Sequence, residues 1–383
     1  MEYKKLGDIA TYINGYAFKP EDRGTEGLPI IRIQDLTGNS YDLGFYDGKH
    51  PEKIEINNGD VLISWSASLG VYVWNRGKAL LNQHIFKVAF NKVDVDKNYF
   101  VYAVRHKLNE MAAKAHGATM KHIIKKDFDA IQIPFPSLQE QAEISLILDK
   151  VAHVIEERRE ELSKLDTLIK ARFVEMFGDA RKNPNKYDTV SFIDIVEYMG
   201  DIGSNGANKV VVDHLDMKDK EDYAMMVRFT NFTKNDFTDD VKYVSKEAYD
   251  FFKKSQIFGG ELIICKIGSA GQNYVMPYLN RPVSLGLNQI MVRIKDKILM
   301  PYLYQYLHTD YGEFLISGCT NGAVTKTITK TELKKIPVML PPMELQREFV
   351  AFVEQVDKSK ATVQKALDET QLLFDSLMQQ YFG

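Results

Sequence analysis

The sequence predicts an α+β fold in which two similar mixed α/β domains are separated by a two-helix antiparallel coiled coil. Three observations predict it: an internal repeat, a 4-3 apolar spacing in the second part of each copy, and β-branched and aromatic runs in the first part. The predicted segments are a first domain (1–138), a first long helix (139–178), a second domain (179–341) and a second long helix (342–383). Such a duplication is expected to have pseudo-twofold symmetry.

Composition limits the class of protein. Of 383 residues, 45% are hydrophobic and 26% are charged, which excludes a disordered or collagen-like chain. Cys265 and Cys319 are the two cysteines, too few for a disulfide framework or a four-cysteine zinc site. The sequence opens without an apolar signal segment and contains no run of about 20 apolar residues, so we expect a cytoplasmic protein. Because the net charge is -3, any nucleic-acid site must come from local clusters.

The repeat is clearest in the second part of each copy. The segment 117–178, moved forward by 205 positions, matches 322–383 without a gap, and Lys121 falls on Lys326. Upstream the offset drifts, as insertions in surface loops would cause. The matched upstream segments are 31–36 with 227–232 at an offset of 196, 59–64 with 260–265 at 201, and 81–83 with 287–289 at 206.

Local patterns predict the elements of the globular parts. The β-branched and aromatic runs 71–74, 85–90 and 289–294 are typical of strands. The stretches 99–115 and 302–317 are predicted to be helices.

Each long helix begins after a proline-containing segment. In the first copy, the spacing of Ser137 and Glu140 is that of a capping box, in which each side chain bonds a backbone N–H of the other residue. The 4-3 spacing that follows is typical of a coiled-coil seam. The predicted seam positions are Ile144, Leu148, Val151, Ile155, Leu162, Leu165 and Ile169 in the first helix, and Phe349, Val353, Val356, Val363, Leu367, Phe374 and Leu377 in the second.

Connectivity predicts the direction of the pair. The second domain must leave the end of the first helix and enter the start of the second, and an antiparallel pair places both attachments at one end. The alternative is that each long helix packs on its own domain, which the narrow and regular stripe disfavours. Arg158, Arg172 and Lys360 interrupt the seam; we expect them to reach solvent or partner carboxylates, or to lie under another subunit.

Both globular parts carry groups suited to DNA phosphates. Each has a Gly/Ser turn after a strand, with Ser66 and Ser68 in one copy and Ser269 and Gln272 in the other. A plain hairpin turn is the alternative for this feature. Lysines are candidates for contacts to the backbone of DNA, although a solvated surface explains any single one. They are Lys121, Lys266 and Lys326.

Another group of residues has guanidinium or amide side chains, which can form paired hydrogen bonds with base edges. Arg32 with Gln34, and Arg228 with Asn231, suit purines in a major groove, and a structural salt bridge is the alternative for either arginine. The segments 37–58 and 233–259 do not match between the copies, as expected if one scaffold presents different readers to two unlike half-sites. Their candidates are Asn39, Tyr41, Lys49, Lys234 and Asn235.

Catalytic motifs are missing from the sequence. It has no phosphate-binding Gly-x-x-x-x-Gly-Lys-Ser/Thr loop, no His-Glu-x-x-His pair and no Gly-x-Ser-x-Gly elbow. Its eight scattered histidines and two cysteines suggest no metal cluster. We therefore predict no catalytic and no metal-binding residues, and we expect any chemistry to belong to a partner.

The passage into each long helix is similar to that of a known family. Residues 131–144 read IQIPFPSLQEQAEI, and their counterpart 336–349 reads IPVMLPPMELQREF, with Leu345 where the family usually has Glu. Over essentially its whole length, the chain resembles the DNA specificity subunit of type I restriction-modification enzymes.

The resemblance implies a non-catalytic subunit with two target-recognition domains, each binding one half of an asymmetric bipartite double-stranded DNA target. It also implies that two methyltransferase subunits, which carry S-adenosylmethionine, dock on the helices. Two translocase-nuclease subunits that use ATP and Mg would complete a site-specific deoxyribonuclease and adenine-N6 methyltransferase. This chain itself would bind no cofactor. Two alternatives stay open: a self-contained methyltransferase or nuclease, which the missing motifs disfavour, and a coiled-coil adaptor or decoy without DNA specificity.

Overall fold

The computed structural model describes residues 2–38, 43–116, 122–322 and 325–383. The chain divides into two compact units, the first formed by Met1–Glu160 and Gln364–Gly383 and the second by Glu161–Val363. Each unit contains its own sheets and its own hydrophobic core.

The first unit pairs its strands in two main sheets. Its strands are β1 (Tyr3–Lys5), β2 (Thr11–Asn14), β3 (Leu28–Ile31), β4 (Phe45–Tyr46), β5 (Glu55–Ile56), β6 (Val61–Ser64), β7 (Gly70–Val73), β8 (Ala79–Leu81), β9 (Ile85–Ala89) and β10 (Gln132–Pro134). Its helices are α1 (Leu6–Ile9), α2 (Ile33–Leu36), α3 (Lys97–His106), α4 (Leu108–Ala113), α5 (Lys125–Asp129) and the start of α6 (Leu138–Phe177). One sheet has the order β2-β9-β6-β7 and another β4-β3-β8-β5, with β1 paired to β10.

The second unit contains the following elements. Its strands are β11 (Asp188–Ser191), β12 (Val196–Gly200), β13 (Ala224–Val227), β14 (Lys242–Val244), β15 (Gln256–Ile257), β16 (Leu262–Cys265), β17 (Asn273–Val275), β18 (Val283–Leu285), β19 (Gln289–Ile294), β20 (Thr320–Asn321), β21 (Thr327–Ile328) and β22 (Pro337–Leu340). Its helices are α7 (Phe192–Ile195), α8 (Asn208–His214), α9 (Phe229–Lys234), α10 (Lys246–Phe251), α11 (Met300–Leu307), α12 (Asp310–Gly318), α13 (Lys330–Leu333) and the start of α14 (Met343–Phe382).

Strand order repeats between the units. The second unit has sheets β12-β19-β16-β17 and β14-β13-β18-β15, which match the two main sheets of the first unit strand for strand. In each unit one pair is parallel, β3 with β8 and β13 with β18. The central strands β6 and β16 are buried along their whole length, because each pairs on both sides and packs on both faces. The prediction of two similar mixed α/β domains is confirmed.

The predicted local elements are present, with one difference. The runs at 71–74, 85–90 and 289–294 form β7, β9 and β19. Each predicted single helix is instead a pair, α3 with α4 and α11 with α12. In the second unit the break occurs because the Thr309 hydroxyl accepts a hydrogen bond from the Gly312 N–H and starts a new helix.

One part of the repeat alignment is wrong. The offset of 206 matched Leu81 with Leu287, but the strand register places Leu81 opposite Ile31 and Leu285 opposite Val227. The counterpart of Leu81 is therefore Leu285, two residues earlier. The Leu-Asn-Gln tripeptide recurs two residues out of structural register, because it begins on the last residue of β8 in the first unit and after the end of β18 in the second.

The long helices α6 and α14 are each 40 residues long. The predicted capping box starts α6, where the Ser137 N–H donates to Glu140 at 2.9 Å and the Glu140 N–H donates to the Ser137 hydroxyl at 3.3 Å. Among the described residues, no helix is both long and apolar enough to cross a membrane.

Within the second unit, the two long helices run antiparallel. Arg172 of α6 pairs with Glu348 of α14 at 2.8 Å, whereas the earlier Asp166 pairs with the later Lys360 at 2.6 Å. The carboxylate partners expected for Arg172 and Lys360 are thus present.

The seam positions are all shielded from solvent to some degree. Seven are buried: Ile144, Leu148, Ile155, Ile169, Phe349, Val356 and Val363. Seven are half-buried: Val151, Leu162, Leu165, Val353, Leu367, Phe374 and Leu377.

Aromatic residues beside the predicted seam join the helices to the domain cores. Phe173 and Phe177 are fully buried against Tyr302 in the second unit, and Phe382 is fully buried against Tyr99 in the first. The 4-3 pattern did not include them because they lie one position away from it, on the face that turns toward a domain.

Candidate nucleic-acid interface

The two predicted arginines occupy the same local structure. Arg32 lies between β3 and α2, and its N–H donates to the Asp35 carboxylate at 2.8 Å. Arg228 lies between β13 and α9, and its N–H donates to the Asn231 side-chain oxygen at 2.8 Å. In each unit, therefore, a buried side chain three residues later caps the short helix and holds the arginine at its start.

Asn231 is a correction to the predicted readers of DNA. Its side chain is buried, with 2% exposure, and its amide N–H donates to the Asp236 carbonyl while its oxygen accepts from Arg228. Both polar groups of this side chain bond to neighbouring backbone groups, so we assign Asn231 the role of capping the helix. Ser66 is likewise buried, with 1% exposure, in a strand-like bridge to His122, so it cannot reach a ligand in this conformation.

The arginine side chains differ in how firmly they are held. The Arg32 guanidinium lies 3.2 Å from the fully buried Asp35 carboxylate. Arg228 pairs with Asp240 at 3.1 Å, but the Asp240 side chain is more than half exposed. Exposed ion pairs contribute little to stability, so Arg228 can exchange its partner for another acceptor more readily than Arg32. Each arginine therefore forms a structural salt bridge, which is the alternative to base reading that the sequence left open.

The Gly/Ser turn of the second unit lies against the loop that contains Lys326. The Gly268 N–H donates to the Lys326 carbonyl at 3.0 Å, and Ile267 forms a strand-like bridge with Thr327. Gly268 has a φ of 86°, a left-handed conformation that favours glycine. The turn therefore brings backbone groups and the exposed Lys326 to one place on the surface.

Two cavities are lined by some of the predicted DNA-binding residues. Arg228 and Ser269 line one of about 430 Å³. Gln272 and Lys326 line another of about 310 Å³. Asn235 has a left-handed backbone at the end of α9 and lines a third cavity, so the structure does not bring it to the other two.

The remaining predictions fall into two groups. The exposed residues are Gln34, Lys49, Ser68, Lys234, Asn235, Ser269, Gln272 and Lys326. The three that lie outside the described residues are Asn39, Tyr41 and Lys121.

A charged cluster that the sequence did not reveal anchors the turn of the second unit. Asp201, which follows β12, accepts hydrogen bonds from the Lys266 ammonium at 2.8 Å and the Lys330 ammonium at 2.9 Å. Ser204 donates to the same carboxylate at 2.9 Å. Burial alone would raise the pKa of Asp201, but the bonds from Lys266, Lys330 and Ser204 outweigh it and lower the pKa to about 2. Lys266, predicted to contact phosphate, is thus held by a carboxylate.

In the first unit, the residues at the positions that correspond to Lys266 and Asp201 form a hydrogen bond between uncharged side chains. There the Trp65 indole N–H donates to the Asn14 side-chain oxygen at 3.2 Å. Trp65 also stacks on Phe86, and His84 packs against the indole edge. Burial, aided by nearby His122, lowers the pKa of His84, which favours the neutral imidazole beside this hydrogen bond near pH 7.

Comparison with known proteins agrees with this duplicated architecture. The model of the type I restriction modification DNA specificity domain matches residues 1–165 and again 195–370. The EcoBI type I restriction enzyme specificity subunit of Escherichia coli is 22% identical over 408 residues, which cover 98% of this chain and 84% of that protein. The StySPI specificity subunit of Salmonella potsdam is 22% identical over 409 residues, covering 98% and 86%.

Solved structures have the same fold. The S subunit of a type I restriction-modification system from M. genitalium superimposes with a TM-score of 0.55 at 15% identity, covering 100% of this chain and 96% of that one. A chain from a study of complex assembly and conformational transition in a type I R-M system has a TM-score of 0.53 at 17% identity, covering 99% and 96%. Since the family model covers most of the sequence in two matches, the chain belongs to the family of type I restriction modification DNA specificity domains.

Proposed function

We propose that this chain is the DNA specificity subunit of a type I restriction-modification complex and reads an asymmetric bipartite target, one half-site per unit. The observation that carries this proposal is the duplicated scaffold. Both units place an arginine before a short capped helix and a polar turn after a buried strand, whereas the loops around them differ. A repeated frame with unlike loops suits two half-sites of unlike sequence.

The chain then has a binding role, and the chemistry belongs to other subunits. Two methyltransferase subunits would carry S-adenosylmethionine and modify adenine at N6, and two translocase-nuclease subunits would use ATP and Mg to cleave DNA. The outer faces of the long helices support docking of such partners. Within the first unit, Leu146, Ile147, Leu372 and Leu373 are between 41% and 70% exposed, which is unusual for so many large apolar side chains on two helices.

The proposed DNA contacts combine positioning and reading. The exposed Lys326 and the turn that contains Ser269 suit phosphate oxygens, since ammonium and backbone N–H groups both donate to them. Arg228 is the proposed reader of a purine in the second unit, because its present partner is exposed. Gln34 is exposed beside Arg32 and is its proposed counterpart in the first unit.

Selection from a random DNA pool tests the proposal. The full chain, assembled with its methyltransferase subunits, is expected to enrich two short conserved blocks separated by a spacer of constant length. Substitution of Arg228 by Ala should relax one block and leave the other unchanged. Enrichment of no consensus would reject the proposal in favour of an adaptor or decoy. Methyl transfer by the chain alone would reject its non-catalytic role.

The long helices suggest a separate test of spacing. Deletion of one heptad from both α6 and α14 removes about 10 Å of helix, since each residue rises about 1.5 Å. At about 3.4 Å per base pair step, the preferred spacer should shorten by about 3 bp while both blocks keep their sequence. An unchanged spacer would show that the helices do not set the distance between half-sites.

A further inference from the structure

The cavity that Arg228 lines in the second unit has an apolar interior. Its floor contains Met226 and Cys265, which are 0% and 4% exposed. Its volume is about 430 Å³. The cavity therefore places an apolar floor beside the proposed purine reader, with polar groups on its lining.

The rim of this cavity exposes three large apolar side chains. Met217, Ile267 and Leu287 come from separate loops and are 46%, 39% and 45% exposed. Large apolar side chains that converge on one exposed place generally mark a contact surface. Arg228 and Ser269 lie on the same rim, so the apolar contact and the polar contacts would meet one ligand.

Leu287 is held in place by its neighbours. The Lys266 N–H donates to the Asn288 carbonyl at 2.7 Å, and the Gly286 N–H donates to the Gln289 side chain at 3.2 Å. Gly286 approaches β13 so closely that a Cβ atom there would lie 2.2 Å from the Val227 carbonyl oxygen. The loop is fixed on both sides of Leu287, so the backbone that carries this side chain is positioned before any ligand arrives.

The first unit has polar residues at the matching positions. The Trp65 N–H donates to the His84 carbonyl as the Lys266 N–H does to Asn288, which makes Gln83 the counterpart of Leu287. The bridges to His122 and Thr327 likewise make Ser66 the counterpart of Ile267. At these positions one scaffold thus carries an exposed amide and a buried hydroxyl in the first unit and exposed apolar groups in the second.

We propose that the second unit recognises a thymine in its half-site through the 5-methyl group, which enters the pocket rimmed by Leu287, Ile267 and Met217. This inference rests on the proposed function. In the major groove thymine is distinguished by its methyl group, which binds to apolar side chains and not to hydrogen-bond donors. Arg228 on the same rim would contact a purine next to that thymine.

Replacing thymine by uracil tests the proposal, because uracil pairs identically and lacks only the methyl group. The selected target is made as duplex DNA with uracil at one thymine position at a time, and its affinity for the full complex is measured. At one position in the half-site that Arg228→Ala relaxes, we expect binding to weaken about fourfold, the effect of one buried methyl group. In the Leu287→Ala variant, thymine and uracil at that position should bind alike.

Two further variants complete the design. Met217→Ala should reduce the same discrimination, which guards against misfolding of a single variant. Val212→Ala removes a 70% exposed apolar side chain elsewhere in this unit and should leave the discrimination intact. A consensus without thymine in this half-site, or equal binding of uracil at every position, would overturn the inference and leave the proposed function standing. Failure to select any consensus would overturn the proposed function itself.

Discussion

In the first unit, the residue after the central strand, Trp65, donates to Asn14 at the end of an outer strand. In the second unit, Lys266 and Asp201 occupy the corresponding places and form an ion pair at 2.8 Å. Lys330 adds a second cation to that carboxylate, whereas its sequence counterpart Lys125 lies over the rings of Tyr12 and Phe86.

The two units thus have a side-chain bond at the same position, but the bond is a neutral hydrogen bond in the first unit and an ion pair in the second. In both units the bond ties the residue after β6 or β16 to the end of the outer strand β2 or β12, on the far side of β9 or β19. The neutral version relies on stacking of Trp65 against Phe86, at 5.6 Å between ring centroids. The ionic version places a nearly buried carboxylate, with 8% side-chain exposure, between two ammonium groups. The stability that the ion pair contributes should therefore depend on pH and on the presence of both charged partners, whereas that of the neutral hydrogen bond should not.

Removing the acceptor should have the largest effect. Asp201→Ala leaves two lysines without their carboxylate, and we expect it to destabilise the second unit by about 3 kcal/mol, at the low end for a broken buried pair because the lysines are one-third exposed. The matched variant Asn14→Ala should destabilise the first unit by about 1 kcal/mol, the value of one neutral hydrogen bond. Amide hydrogen exchange in β16 and β6 measures each unit separately. Equal losses would contradict the distinction.

Acid should weaken the ionic link next. Despite burial, hydrogen bonds from Lys266 and Lys330 lower the pKa of Asp201 from its ordinary value of 3.8 to about 2 in the folded protein, so the folded state binds this proton less tightly than the unfolded state. The resulting stabilisation is complete above about pH 4 and is lost as the pH falls toward 2, by about 2 kcal/mol. Urea unfolding between pH 2 and 5 should show this loss in the natural protein and a smaller one in Asp201→Asn. Parallel pH curves would exclude the ionic link as its source.

Replacing a single lysine should have the smallest effect. Lys330→Met leaves Lys266 on Asp201, and we expect a loss of about 1 kcal/mol in the second unit. Lys125→Met in the first unit removes a cation that lies 5.1 Å from the Tyr12 ring and pairs with Asp129, and we expect a loss of about 0.5 kcal/mol. Thermal unfolding of the two variants tests the order. A larger loss for Lys125→Met would mean that the aromatic surroundings depend on the cation.

Features with a local signal could be predicted from the sequence. The capping box at Ser137 and the apolar spacing from Ile144 onward depend on residues three or four positions apart, so their pattern is visible without knowledge of the fold. The repeat at an offset of 205 also fixed the start and end of both long helices relative to each other.

The links between distant residues could not be predicted. Asp201 and Lys330 are 129 residues apart, and only the strand order brings them together. Asn14 and Asp201 do not match at any offset used for the repeat, because the segments that lead from them to β3 and β13 differ in length and β12 has a bulge. The burial of Asn231 could not be predicted from the sequence either, because an amide suited to reading DNA is equally suited to capping a helix.

The composition of the first unit has a consequence for synthesis on the ribosome. Its core includes Met378 and Phe382 of the last helical turns, and Phe382 is fully buried 5.2 Å from the Tyr99 ring. Translation delivers all of Glu161–Val363 before it delivers those residues. Since domains generally fold as units while the chain emerges, the first unit, although its synthesis begins first, completes its core only after Gln364–Gly383 have been made.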